Sequence, residues 1–146
     1  MKYKSFFLLI ALALFNSCEL KKGHHSILIV NNSDTDVYVV DSDEYPDTIY
    51  HHRWSAISAN KHETKVNSKS SSNKPLWLYG GDTWEVNYDY IESGILMVFI
   101  LNVDSIDRWE DKNLSVRNYH PNDAVLKRYD LRLSDLKGMN WTITYP

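Results

Sequence analysis

Three observations predict an all-β domain. Apolar residues recur mainly at a spacing of two, short apolar stretches are separated by turn-forming residues, and no strand-helix-strand alternation is present. The expected architecture is an antiparallel β-sandwich of immunoglobulin-like topology with one short helix.

The elements follow in chain order. Residues 27–30 and 37–40 are apolar runs joined by Asn31, Asn32, Ser33, Asp34, Thr35 and Asp36. Short polar side chains of this kind bond their own backbone and favour reversal, so the two runs are expected to pair as a hairpin. Pro46 interrupts, and Thr48, Ile49 and Tyr50 suggest a short third strand before Trp54 and Ile57. Residues 60–74 are polar and end in a serine-rich run, which predicts a long mobile loop that supplies no core. Order resumes with Leu76, Trp77, Leu78 and Tyr79, and Gly80, Gly81 and Asp82 turn the chain. Trp84, Val86, Tyr88 and Tyr90 alternate with Glu85, Asn87 and Asp89, the pattern of a half-buried strand over residues 83–91. Residues 95–101 are apolar on both faces and read as a central strand covered on each side. Residues 104–112 predict the helix, capped by Asp104 or Ser105, with Ile106 and Trp109 facing inward. Residues 125–133 alternate again as a strand. Ser134 is placed to cap a single turn ended by Gly138, and Trp141, Ile143 and Tyr145 form the inward face of a last strand.

The chain also has a leader. Lys2 and Lys4 precede a ten-residue apolar run over residues 6–15, followed by Asn16, Ser17 and Cys18. A membrane-crossing helix needs about 20 apolar residues, so this run suits an export signal that is removed. Ala11, Leu12 and Ala13 offer an ordinary cleavage site, but cutting there leaves an apolar core shorter than the ~7–15 residues such signals use. Cleavage before Cys18 divides the chain into a signal peptide at 1–17, a lipidated cysteine with a flexible tether at 18–26, and a single domain at 27–146. Cys18 is the only cysteine, so no disulfide can form within the chain. Removal of the leader takes two of the 16 basic residues and none of the 19 acids, leaving 14 against 19, a balance of −5. That balance makes nucleic acid an unfavourable partner.

The Ser17–Cys18 junction behind an apolar leader resembles the signal of bacterial lipoproteins, in which the thiol receives lipid before cleavage. Phe15 and Asn16 depart from the commoner residues of that motif. Loose versions are typical of small lipoproteins from gut anaerobes of the Bacteroidetes type, and residues 127–146 are similar to the endings of such proteins. The resemblance implies an outer-membrane lipoprotein of the cell envelope, facing the periplasm or the surface and held to the membrane by an N-terminal lipid. Asp47-Thr48-Ile49 and Asp104-Ser105-Ile106 resemble the acceptor triplet for O-linked glycans in exported proteins of those bacteria.

No catalytic constellation is legible. His51 and His52 are adjacent, His24 and His25 fall in the expected tether, and His62 and His120 lack the spacing of a metal site, so no metal or cofactor is expected. Nucleophile motifs are missing, while paired carboxylates for sugar hydrolysis are a tertiary property that spacing does not reveal. What stands out is aromatic content: five tryptophans and ten tyrosines. Trp54, Trp77, Tyr79 and Tyr119 fall near loops or turn edges and are the candidate ligand-binding residues, because aromatic rings stack on sugar faces and anchor protein interfaces. Three functions fit: a noncatalytic module binding glycan or an envelope protein, a structural subunit of an envelope or fimbria-like complex, and a small hydrolase.

Overall fold

A computed structural model describes residues 23–46, 61–111 and 124–146. The leader with Cys18, the expected strand at 48–50, Trp54, His51, His52, Tyr119 and His120 lie outside the described residues. The described chain is β-rich and forms two sheets. The strands are β1 (Leu28–Asn31), β2 (Val37–Ser42), β3 (Lys65–Val66), β4 (Ser70–Ser72), β5 (Leu96–Asn102), β6 (Val125–Leu131) and β7 (Thr142–Tyr145). Among the described residues the helices are α1 (Lys61–Thr64), α2 (Trp84–Asn87), α3 (Val103–Asp111) and α4 (Leu133–Gly138), where a single helix was expected. One sheet has the order β4-β1-β7 and the other β3-β2-β5-β6.

The larger sheet takes its form from alternation. Val37, Val39, Leu96, Val98 and Ile100 point to one side, where they meet Ile29 and Ile143 of the smaller sheet, together with Leu76, Trp84, Leu136 and Trp141. Tyr38, Val40, Met97, Phe99 and Leu101 point to the other side, under Val103 and Ile106 of α3. The central strand β5 is thus covered on both faces, as its continuous apolar sequence requires. Each fully buried aliphatic side chain here contributes about 1.5–3 kcal/mol. The smaller sheet departs from the antiparallel expectation, since β1 runs antiparallel to β4 but parallel to β7.

The expected hairpin is an arch. Asn31 Oδ1 accepts from the Ser33 N–H (3.0 Å) and hydroxyl (2.7 Å), so the predicted reversal forms. However, β1 enters the smaller sheet and β2 the larger. The joint is made by the fully buried Asn31 side chain, whose Nδ2 donates to the carbonyls of Thr35 (2.8 Å), Asn67 (3.1 Å) and Val66 (3.3 Å). Those bonds take the place of a ladder between β1 and β2.

Residues 61–72 are not the expected loop. Val66 is buried against β2, and the chain then crosses sheets so that Ser70, Ser71 and Ser72 pair with β1. Asp36 secures the crossing: its carboxylate accepts from Ser68 N–H at 2.9 Å and pairs with Lys65 at 2.9 Å. Main-chain pairing holds a strand that has almost no apolar side chain to bury.

The strand expected over 83–91 is a helical turn. Thr83 sits in extended conformation and its hydroxyl accepts from Val86 N–H, capping α2, which continues as a 3₁₀ turn over Tyr88–Tyr90. Trp84, Tyr88 and Ile91 are buried while Val86 and Tyr90 are exposed, so the true period is i, i+4, i+7. Positions 84 and 88 satisfy both periods, which is why alternation misled. Two caps also differ from expectation: Asn102 Oδ1 accepts from Ser105 N–H to start α3, and Asp135 accepts from Arg132 N–H to start α4. Trp141 and Ile143 are buried in β7 as expected.

Replacing Asn31 by Leu keeps the volume and removes the donors, leaving buried carbonyls without their partner. We expect a loss of about 2–4 kcal/mol, read as a lower urea midpoint at unchanged m-value. An unchanged midpoint would show that the arch is held by something else.

Candidate functional site

Two exposed aromatic surfaces stand out among the described residues. The first lies where the chain enters the domain. The expected tether ends earlier than residue 26, because the backbone of 24–27 already pairs with the body. Ile27 N–H donates to Leu76 (3.2 Å), Leu78 N–H to His25 (2.8 Å) and Trp84 N–H to His24 (2.8 Å). Gly23 lies so close to the Thr83 side chain that a Cβ there would collide with it. Ser26 forms a β-bridge with Trp77.

This docking has a charged clasp. His24 Nδ1 is 2.8 Å from Glu85 Oε1, its backbone N–H donates to Oε2 at 2.9 Å, and its ring stacks on Trp141 at 4.2 Å and 15°. His25 Nδ1 donates to the Asp82 carbonyl at 2.6 Å. Burial pulls the Glu85 carboxyl upward, but the hydrogen bonds and charge of His24 outweigh it and hold the group below the ordinary range. Trp141 is presented by an unusual backbone: Asn140 and Trp141 adopt φ of 50° and 56°. That left-handed region costs non-glycine residues roughly 1–2 kcal/mol each. It is held by bonds from Trp141 N–H to Leu136 and from Thr142 N–H to Met139.

Beside the clasp, Leu76 is buried and Leu78 packs against the core, while Trp77 and Tyr79 face outward at 43% and 67% exposure. Gly80 and Gly81 adopt φ of 85° and 89°, a reversal that favours glycine at both positions. The Glu63 carboxylate near the Tyr79 hydroxyl raises the phenol's pKa above its ordinary value. Of the four aromatics proposed from sequence, the structure thus brings Trp77 and Tyr79 together. Trp54 and Tyr119 lie outside the described residues.

The second surface was not read from sequence. A cavity of about 480 Å³ is lined by Asp43, Glu44, Tyr45, Tyr90, Glu92 and Ser93. It lies where β2 ends and the segment leading into β5 begins. Tyr90 is 78% exposed at the end of its 3₁₀ turn, and Tyr45 is backed by the Arg128 guanidinium 5.7 Å from its ring centre. The strand expected over 83–91 puts Tyr90 on the same face as Trp84, yet Trp84 is buried and Tyr90 exposed. The helical period of 84–91 was the signal that would have turned it outward.

A further cavity of about 390 Å³ contains Asp36, Asp104 and Asp107. Two of these carboxylates have structural partners: Lys65 and then Ser68 N–H hold Asp36 below its usual pKa, and Asp107 accepts from the Tyr38 hydroxyl at 3.0 Å. Ser105 of the Asp104-Ser105-Ile106 triplet stands half-buried in the first turn of α3. Among the described residues no cluster of three histidine, cysteine or acidic side chains is placed to hold a metal ion, and no helix is long and apolar enough to cross a membrane.

No family model matches the chain, and no curated protein or solved structure is significantly similar to it.

The clasp has a defined pH dependence. Because the folded Glu85 pKa is depressed, its contribution is full above the ordinary carboxylate range near ~4.3 and is lost as pH falls through the folded value. Hydrogen exchange at the Trp84 and Leu78 amides, corrected for intrinsic rates, should therefore accelerate in acid. At neutral pH Glu85→Gln should speed it two- to fivefold, from about 0.5–1 kcal/mol for a partly exposed pair. Identical exchange in the variant at all pH values would remove Glu85 from the clasp.

Proposed function

We propose that this chain is a lipid-anchored protein of the cell envelope, an outer-membrane lipoprotein whose domain is a noncatalytic binding module for glycans. Support for the anchor is the leader ending at Cys18. Support for a β-sandwich is the core between the sheets to which both contribute, and the immunoglobulin-like version draws on the same two-sheet, β-rich layout. The observation that carries the binding function is the cleft in which Tyr45 and Tyr90 stand among Asp43, Glu44 and Glu92. Tyrosine rings offer flat apolar faces to the C–H side of a sugar, and carboxylate oxygens accept from its hydroxyls. Two carboxylates elsewhere, Asp36 and Glu85, are held ionised by basic neighbours, which suits charge pairing and not proton donation.

Three carboxylates at one cleft repel anions, so the expected ligands are neutral or amino sugars and not sialylated or sulfated ones. A glycan array should return that class, and Tyr90→Ala should weaken the selected glycan about tenfold, or ~1.4 kcal/mol. Tyr90 is mostly solvent-exposed, so the variant should keep its fold and melting temperature. An empty array, or equal affinity in the variant, would sink the reading.

A further inference from the structure

We infer that the edge bearing Trp77 and Tyr79 is a bilayer-contact surface, seated among the lipid headgroups of the membrane that holds Cys18. The assignment rests on the lipid anchor proposed above and gives the first aromatic surface a partner different from that of the glycan cleft. It begins with chain length. From Cys18 to Gly23 is five residues, which span at most about 18 Å when fully extended. From His24 onward the chain is no longer a leash, because its backbone is bonded to Leu76, Leu78 and Trp84 and its first ring is clasped by Glu85 and Trp141. The point at which the domain leaves the membrane is therefore fixed on the domain itself.

That point adjoins the aromatic edge. The Ser26–Trp77 bridge is antiparallel, so the chain from Trp77 to Tyr79 runs back along the docked segment toward its entry. Leu76 and Leu78 turn inward, and the intervening rings of Trp77 and Tyr79 turn to solvent. Tryptophan and tyrosine pair an apolar body with a polar edge, the composition that concentrates at membrane interfaces. Charge adds little, since Lys21 and Lys22 in the sequence after Cys18 are matched in number by Glu63 and Asp82. The contact should thus be carried by the rings and be insensitive to salt.

The test uses the full lipidated protein, extracted and reconstituted in phosphatidylethanolamine/phosphatidylglycerol vesicles that contain bromine-bearing acyl chains. Intact mass first establishes whether Cys18 bears lipid; a mass without lipid overturns the anchor and this surface together. With lipid present, brominated chains should quench tryptophan emission, and the quenchable part should fall by at least half in Trp77→Phe and stay unchanged at 0.5 M salt. Lipid on Cys18 with no difference between wild type and Trp77→Phe overturns the bilayer contact alone. Shielding of Trp77 from aqueous iodide only when a glycan or envelope protein is added would likewise reject the bilayer in favour of that partner.

Discussion

The buried carboxamide of Asn31 is the constraint on which the two-sheet arrangement depends. A polar group removed from water must find its bonds inside the protein, and this one finds them on three separate carbonyls. Thr35 belongs to the arch, Val66 to β3 of the larger sheet, and Asn67 to the crossing that leads to β4 of the smaller one. The same side chain also accepts twice from Ser33. One residue therefore fixes where β1 stops, where β2 departs and where the chain later returns. Apolar side chains such as Ile29 and Val39 make contact between sheets favourable, but they are non-directional and do not specify which sheet each strand joins.

At another rim the same task falls to tyrosine hydroxyls. Tyr129 of β6 donates to the Thr144 carbonyl of β7 at 2.8 Å, and Tyr88 donates to the Leu131 carbonyl at 2.9 Å. Burial pushes both phenols above their ordinary pKa, with Tyr145 adding to Tyr129 and Asp135 to Tyr88, so both remain donors. The bond to Thr144 joins one sheet to the other, and at that carbonyl it satisfies an acceptor on a strand paired on one side only. Unpaired strand edges invite association with other chains. Among the described residues several tyrosines are thus spent on architecture, which leaves Tyr45, Tyr79 and Tyr90 as the rings with most exposure.

Where a residue's role follows from its local pattern, the sequence was informative. Residues 125–131 and 142–145 are strands because their alternation matches one period only, residues 96–102 form a strand although their continuous apolar run fits a spacing of two and a helix alike, and α3 lies where its inward Ile106 required. Residues 84–91 failed because positions 84 and 88 fit a spacing of two and a helical turn alike, and only the Thr83 cap separates them. Residues 70–72 failed for a different reason: serine has little apolar surface, so a strand held by backbone bonds leaves no hydrophobic trace. The arch was half legible, its Asx turn being local and its long-range amide bonds not. Trp77 and Tyr79 were found from their place beside a glycine turn. The Tyr45–Tyr90 cleft joins residues 45 apart in sequence, and no local pattern foretells such a meeting.

For a chain anchored at Cys18 as proposed, the docked entry segment sets how the domain is held. A flexible tether of eight residues would let the domain wander by roughly 5–6 Å times the square root of its length, about 16 Å, and rotate freely. Ordering residues 24–26 shortens that leash to five residues and fixes its exit on the domain surface. A compact domain of this size has a radius of gyration of roughly 14 Å, comparable to the leash itself. For a domain so anchored, rotation would be limited by collision with the bilayer, and its surface would sample a shell only a few nanometres deep. Confinement of two binding partners to one layer raises their effective concentration, so under the proposed anchoring millimolar affinities would suffice for occupancy. Under that proposal, a cleft with two rings and three carboxylates would suit ligands held nearby better than ligands captured from dilute solution.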